Sequence, residues 1–293
     1  MDIGIIGTGR MGAAIAGRLL GLGRAVTVWN RTPAKAQALV AAGATVADSP
    51  AALVLGCDIV ISMLTDAAAI EAAYAGAGGA LEAAGPGKLF IDMSTVRPEV
   101  EAALGERLRA RGAALVDCPV GGSVGPAREG KLFGFVGGAE ADVARARPVL
   151  EQVCRRVEHV GPVGAGARMK LAINLPLLVY WQALAEALSL AAPLGIAPER
   201  MIDILSDTSG GPNMLKARGP VIAATLHGKE TAPVTVSVET MRKDLAEMVD
   251  EARALGRALP LTARTLECFD DAIRDGWGAR DVTMLPAHWL AKR

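Results

Sequence analysis

"MDIGIIGTGRMGAAIAGRLLGLGRAVTVWNRT", residues 1–32, decides the fold. Residues 2–6 are an apolar run with strand character, Gly7-Thr8-Gly9-Arg10-Met11-Gly12 follows at once, and Met11 to Leu20 has amphipathic helical spacing. A second apolar run, Ala25 to Trp29, comes next. A lone G-x-G-x-x-G is a weak signal. Between a strand and a helix, with another strand behind it, it predicts a dinucleotide-binding turn. Gly7 permits the tight turn, Gly9 lets a pyrophosphate approach the backbone, and Gly12 lets the helix pack closely on the sheet. Thr8, Arg10 and Met11 complete the cradle, where free N–H groups at the helix start face phosphate.

The end of the second strand reports which dinucleotide. An acidic residue there accepts hydrogen bonds from the ribose hydroxyls of NAD; this chain has Asn30-Arg31-Thr32. A guanidinium pairs with a 2′-phosphate in a bidentate fork, whereas a carboxylate repels it. The sequence therefore predicts NADP(H) in preference to NAD(H).

Strand and helix signals go on alternating. Residues 57–64 and 88–96, the AALVD run ending at Asp117, and residues 131–138 read as further strands. The pattern predicts a doubly wound parallel sheet of Rossmann type, whose ligands lie at the carboxyl ends of strands. Met63-Leu64-Thr65 and Ser94-Thr95 fall at such ends, as does Asp117 to Ser123, which opens the glycine-rich stretch "DCPVGGSVGPAREGKLFGFVGG", residues 117–138. A glycine cluster at a strand end implies special dihedrals or a backbone that something must approach closely.

From about Gly161 the pattern becomes helical, with candidates at 167–194, 198–206, 213–217, 234–255, 261–274 and 280–292. The expected division is a dinucleotide-binding domain over 1–162 and a helical substrate and dimerisation domain over 163–293. Residues 171–196 carry a single charge, Glu186, in a length that could span a bilayer. Asn174, Pro176, Gln182 and the soluble pattern around it instead predict a helix buried in the protein or a subunit interface. Lys170 and Asn174, four residues apart, share one face of it. A lysine on an apolar helix is either a snorkelling side chain or a proton donor.

Bulk composition narrows the class. The chain has 293 residues, 31 basic and 31 acidic, so nothing in its charge suggests a nucleic-acid partner. Four cysteines and three histidines show no ligand spacing, which predicts no metal site, no disulfide framework and a reducing cytoplasm. Strand character from Asp2 leaves no room for a signal peptide.

Together these residues resemble the β-hydroxyacid dehydrogenase family, which includes 3-hydroxyisobutyrate dehydrogenase, tartronate semialdehyde reductase and the glyoxylate/succinic semialdehyde reductases. Its GxGxMGxxxAxxL signature is met by Gly7 to Leu19 and its D-x-P-V-S-G-G motif by Asp117 to Ser123. Its G-x-G-x-x-x-K-x-x-N-N motif is met by Gly164, Gly166, Lys170, Ile173 and Asn174, and its late K-D pair by Lys243-Asp244. The resemblance implies an NADP-dependent oxidoreductase. Lys170 would exchange the proton at the carbonyl oxygen while a hydride moves between the nicotinamide and a small β-hydroxyacid, or its semialdehyde or keto-acid partner. It also implies that Gly121, Gly122 and Ser123 bind the substrate's anionic group, that Asn174 and Asp244 help hold the substrate, and that Lys243 lies near the nicotinamide. A homodimer or homotetramer is implied too.

Three departures touch substrate contacts. Gly121 stands for the motif's serine, Ile173 for its first asparagine, and Val236 where some relatives have an aromatic. They leave open a carboxylate, a sulfonate or a bulkier substrate. An imine reductase shares the architecture but usually carries Asp or Tyr at the position of Lys170. A decarboxylating 6-phosphogluconate dehydrogenase needs a longer helical domain, and a non-catalytic NADP-binding module is at odds with the intact glycine turn and lysine.

Overall fold

In the computed structural model, residues 2–230 and 233–291 are described. The chain divides by its contacts into two compact units, Met1–Leu171 and Ala172–Arg293. The sequence puts its change of pattern at 162/163; by contacts, the first turns of the long helix go with the first unit.

The first unit is built on strands β1 (Ile3–Ile6), β2 (Val26–Trp29), β3 (Thr45–Val46), β4 (Ile59–Ser62), β5 (Leu89–Asp92), β6 (Ala114–Asp117), β7 (Val120–Gly121), β8 (Leu132–Gly137) and β9 (Cys154–Gly161). Their order across the sheet is β3-β2-β1-β4-β5-β6-β8-β7, with β9 paired to β8. The pairs among β1 to β6 are all parallel. That is the doubly wound Rossmann-type sheet expected, with the chain reversing direction across it after β3.

Alternate strand residues feed two cores. Ile3, Ile5, Val28, Ile61, Ile91 and Val116 pack on one face. Ile6, Val60, Phe90 and Leu115 pack on the other, with residues of helices Pro50–Leu55, Ala67–Ala75 and Pro98–Arg109. Burial on both faces explains why these strands read as continuous apolar runs.

β8 departs from the parallel pattern: it runs antiparallel to both β6 and β7. The connection after Asp117 holds only the two-residue β7 and the six-residue helix Val124–Glu129. That is too little chain for a parallel crossover, so β8 returns antiparallel. β9 escapes a sequence reading because CRRVEHVG is charged and half-exposed, the usual dress of an edge strand.

A long helix, Ala165–Ala191, follows, and runs unbroken through Pro176. With the turn after it, Ala165–Leu194 is long and apolar enough to cross a membrane, and 39% of its most apolar window is buried. In the second unit, helices Pro198–Ser206, Asn213–Leu226, Val238–Ala254, Pro260–Arg274 and Leu285–Ala291 come next. The helix expected at 213–217 extends to Leu226, since Gly219 and Pro220 do not end it. Lys292, the last residue of the 280–292 expectation, lies outside the described residues. Buried Asp281 organises the chain before Val238, accepting hydrogen bonds from Thr235 N at 2.6 Å and Thr283 N at 3.1 Å. Burial pushes its carboxyl up, but these bonds outweigh it and hold the group below the usual range.

Candidate active site

The glycine turn meets its geometric requirements one position at a time. Gly7 has φ +98°, and a Cβ there would lie 2.5 Å from the Met63 carbonyl oxygen. A Cβ on Gly12 would overlap the carbonyl oxygen of Gly7. Gly9 differs: a Cβ there meets nothing within 4 Å, so this glycine faces open space. The backbone is bare where a bound pyrophosphate would have to come close, and the residues present fit a dinucleotide. Arg10 is exposed and Met11 half-buried at the start of helix Arg10–Gly21, and Met11 packs against the core.

A cavity of about 330 Å³ opens beside the turn. Its lining includes Gly7, Gly9, Asn30, Arg31, Thr32, Met63 and Leu64, bringing most of the expected cofactor contacts together. Thr65, at the same strand end as Met63 and Leu64, lines it too, as do Trp29 and Lys35, which were not singled out from sequence. Lys35 was findable: it lies one turn beyond Arg31 in a segment whose Pro33 starts a short 3-10 helix. Among the described lining residues none is acidic.

Asn30 does more than line the cavity. Its Oδ1 accepts from Thr8 N at 2.9 Å, and its Nδ2 donates to Thr32 O at 2.9 Å. It staples the glycine turn to the end of β2, so Thr8, itself buried, spends its N–H on Asn30.

The glycine segment is anchored by Asp117, fully buried at the end of β6. Its two carboxylate oxygens accept from Gly164 N at 2.7 Å and from Ala167 N at 2.8 Å. This caps the helix that carries Lys170 from a residue far away in sequence. The approach is tight: a Cβ on Gly166 would lie 2.8 Å from Asp117 Oδ2 and overlap the Phe135 carbonyl oxygen. The two glycines of the G-x-G-x-x-x-K motif thus serve the anchor of the lysine's helix. Burial pushes the Asp117 carboxyl up to about 6, against the two N–H bonds that favour its charged form.

Within the segment the glycines are unequal. Gly122 has φ +123°, and a Cβ there would lie 2.8 Å from the Leu132 side chain. Gly121 has room: the nearest atoms to a Cβ are in ordinary contact at 3.7 Å. Ser123 precedes the short helix Val124–Glu129 and makes no side-chain cap. Thr95 and Lys170 are half-buried in the first unit.

Asn174, Lys243 and Asp244 belong to the second unit. Lys243 Nζ lies 2.9 Å from Asp244 Oδ1, at ion-pairing distance but without hydrogen-bond alignment, and Asp244 is buried.

Residues 2–161 match the NAD-binding domain of 6-phosphogluconate dehydrogenase, and residues 164–288 match the NAD-binding domain model of NADP-dependent 3-hydroxyisobutyrate dehydrogenase. The chain is 34% identical to glyoxylate/succinic semialdehyde reductase 1 of Arabidopsis thaliana, over 97% of this chain and 96% of that protein. It is 35% identical to 3-hydroxyisobutyrate dehydrogenase of Pseudomonas aeruginosa, over 92% and 91% of the two chains. The structure of Mycobacterium tuberculosis 3-hydroxyisobutyrate dehydrogenase with L-serine superposes with a TM-score of 0.86 at 29% identity, covering 99% of both chains. With its glycine turn, dinucleotide cavity and anchored lysine helix, the chain belongs to the β-hydroxyacid dehydrogenase family, whose members are nicotinamide-dependent oxidoreductases of small hydroxyacids and semialdehydes.

Proposed function

We propose that this enzyme uses NADP(H) to interconvert a small β-hydroxyacid and its semialdehyde or keto-acid partner, with Lys170 as the general acid and base. The observation that carries the cofactor preference is the cavity wall at the end of β2. Arg31, Thr32 and Lys35 line it, and no carboxylate does among the described residues. A 2′-phosphate there would meet a planar guanidinium and an ammonium, and nothing would repel it.

When bound, the nicotinamide supplies or accepts the hydride. In reduction Lys170 Nζ gives its proton to the carbonyl oxygen; in oxidation the neutral amine takes the proton from the hydroxyl. Asp117 supports this by fixing the first turn of the helix on which the lysine sits. The Gly121-Gly122-Ser123 backbone receives the substrate's anionic end through its N–H groups. Asn174 and Asp244 hold the substrate, and Lys243 serves the nicotinamide end of the cofactor. Lys170 speaks against the imine reductase reading, which calls for a different residue there.

We further assign a cytoplasmic homodimer or homotetramer. Leu190 at the end of the long apolar helix and Leu194 in its following turn are exposed, and a second copy of the chain is the cover such a patch needs. A sedimentation mass near 30 kDa at micromolar concentration contradicts that assignment.

The reaction is tested by following NADPH and NADH oxidation over glyoxylate, succinic semialdehyde, methylmalonate semialdehyde, tartronate semialdehyde and sulfolactaldehyde. Turnover of at least one of these with NADPH favoured is expected. Equal affinity for the two cofactors contradicts the cofactor reading.

A further inference from the structure

Across the middle of the first unit's sheet runs a row of buried polar residues. Ser62, Asp92 and Asp117 end β4, β5 and β6 and sit in register, Ser62 opposite Asp92 and Asp92 opposite Asp117. All three are fully buried. Ser62 Oγ donates to Asp92 Oδ2 at 2.5 Å, so the 2.7 Å bond between Ser62 Oγ and Tyr74 Oη takes its proton from the tyrosine. Ser94 N donates to Asp92 Oδ1 at 2.7 Å, and Ser94 Oγ accepts from Leu64 N at 2.9 Å. Asp92 is therefore the hub that fixes the Met63–Thr65 loop, one wall of the cavity.

Glu101 points into this row from helix Pro98–Arg109 and is 1% exposed. Neither of its oxygens has a conventional donor among the described residues. Among the described residues the titratable groups facing it are the Asp92 carboxyl on β5, the Asp117 carboxyl on β6 and the Tyr74 phenol on helix Ala67–Ala75, and none of these is a cation. It lies within hydrogen-bonding reach of Asp92. Two carboxyl groups can bond to each other only if one holds a proton, and a dry site that already faces other carboxyls strongly disfavours a further charge. Burial pushes the Asp92 carboxyl up as well, but Ser62 and Ser94 donate to it while none of the described side chains donates to Glu101, so the shared proton sits on Glu101.

We propose that Glu101 is a neutral carboxylic acid at physiological pH, donating its proton to Asp92, and that it is a positioning residue for the cofactor-facing Met63–Thr65 loop. The protonation stands on the burial of Glu101 and the carboxyl groups around it; the effect on the cofactor rests on the reading of the cavity given above. Burial, with Asp92 and Asp117 beside it, pushes the Glu101 carboxyl well above its ordinary value. Its ionisation at alkaline pH would put a further negative charge into the row and loosen the Asp92 hub.

Infrared spectra of the whole protein with ¹³C-labelled glutamate, wild type against Glu101→Gln, give the direct test. A neutral-acid carbonyl band at pH 7 that is present in wild type and missing in the variant is expected; wild type without that band overturns the proposal. NADPH affinity then tests positioning. Glu101→Gln still donates to Asp92 and should bind within about twofold of wild type, whereas Glu101→Leu leaves Asp92 without that donor and should lose about tenfold. Affinity should fall more steeply at alkaline pH in wild type than in Glu101→Gln. Wild-type affinity in Glu101→Leu, or parallel pH profiles, overturns the positioning role. A wild type that binds neither dinucleotide overturns the cavity reading and that role together, while the infrared band still decides the proton.

Discussion

Two glycine-rich strand ends of the first unit, those after β1 and β6, are glycine-rich for different reasons. In the turn after β1, Gly7 and Gly12 are required by the fold, because a Cβ at either meets backbone, while Gly9 is open toward the cavity. In the segment after β6, Gly122 is held by its dihedral and by Leu132, but Gly121 has ordinary room. The turn is fixed by the carbonyls of Gly7 and Met63. The segment has a position the fold leaves free, and that position is where this chain departs from its family's serine. On the function proposed here, the turn's backbone holds the cofactor's pyrophosphate, and the residue at position 121 tunes the choice of substrate.

The harshest way to break the comparison is Gly12→Ala. The added methyl overlaps the Gly7 carbonyl oxygen, which a turn tied to both β2 and the Met63 loop cannot move aside. We expect a loss of stability of about 3 kcal/mol, read by urea titration, and loss of dinucleotide binding. Unchanged binding contradicts the assignment of this turn.

Asp117→Asn comes next. It replaces one of two acceptors by an NH₂ group, so the N–H of Gly164 or Ala167 loses its partner, at about 1–3 kcal/mol. The pH dependence has a definite sign. The folded carboxyl sits at about 6, above its unfolded value of 3.8, so its contribution to stability is full below 3.8 and is lost as pH rises through about 6. Denaturant titrations from pH 4 to 7 should show this decline in wild type, with a slope of at most about 1.4 kcal/mol per pH unit, and a shallower one in Asp117→Asn. Parallel curves contradict it.

Arg31→Leu should weaken NADPH binding about ten- to a hundredfold, roughly 1.5–3 kcal/mol, and leave NADH binding nearly unchanged. Asn30 is best left alone, because it holds Thr8 N and its replacement would confound cofactor choice with the geometry of the turn. The gentlest change is Gly121→Ser. It should shift stability by less than about 0.5–1 kcal/mol and alter KM for the substrate while cofactor affinity stays put. A large loss of stability would show that this position is not free.

Much of this was legible in the sequence because its causes are local. The turn, its two flanking strands and Arg31 lie within 32 residues and follow from backbone rules. What escaped is long-range polar bonding. Asn30 reaches back 22 residues to Thr8, and Asp117 reaches forward 47 and 50 residues to Gly164 and Ala167. No periodicity records such pairs, so Asp117 reads simply as the first letter of a substrate motif. Glu101 was equally hidden: in PEVEAALGERLR it looks like a solvated first-turn acid, and only the packing of that helix over β5 and β6 shows it to be dry. Short β7 and charged β9 were lost because two residues or an exposed face carry no apolar signal.

The central claim is that the turn holds the cofactor and Lys170 moves the proton, so the two functions should separate. The most direct measurement is Lys170→Ala, with turnover and NADPH affinity determined independently, alongside Lys170→Arg. Turnover should fall about 10²–10⁴-fold while NADPH affinity is nearly unchanged, and the arginine variant should not be fully restored, since guanidinium stays protonated and its planar fork places the proton elsewhere. Turnover within a few fold of wild type in Lys170→Ala would make the lysine structural and contradict the mechanism.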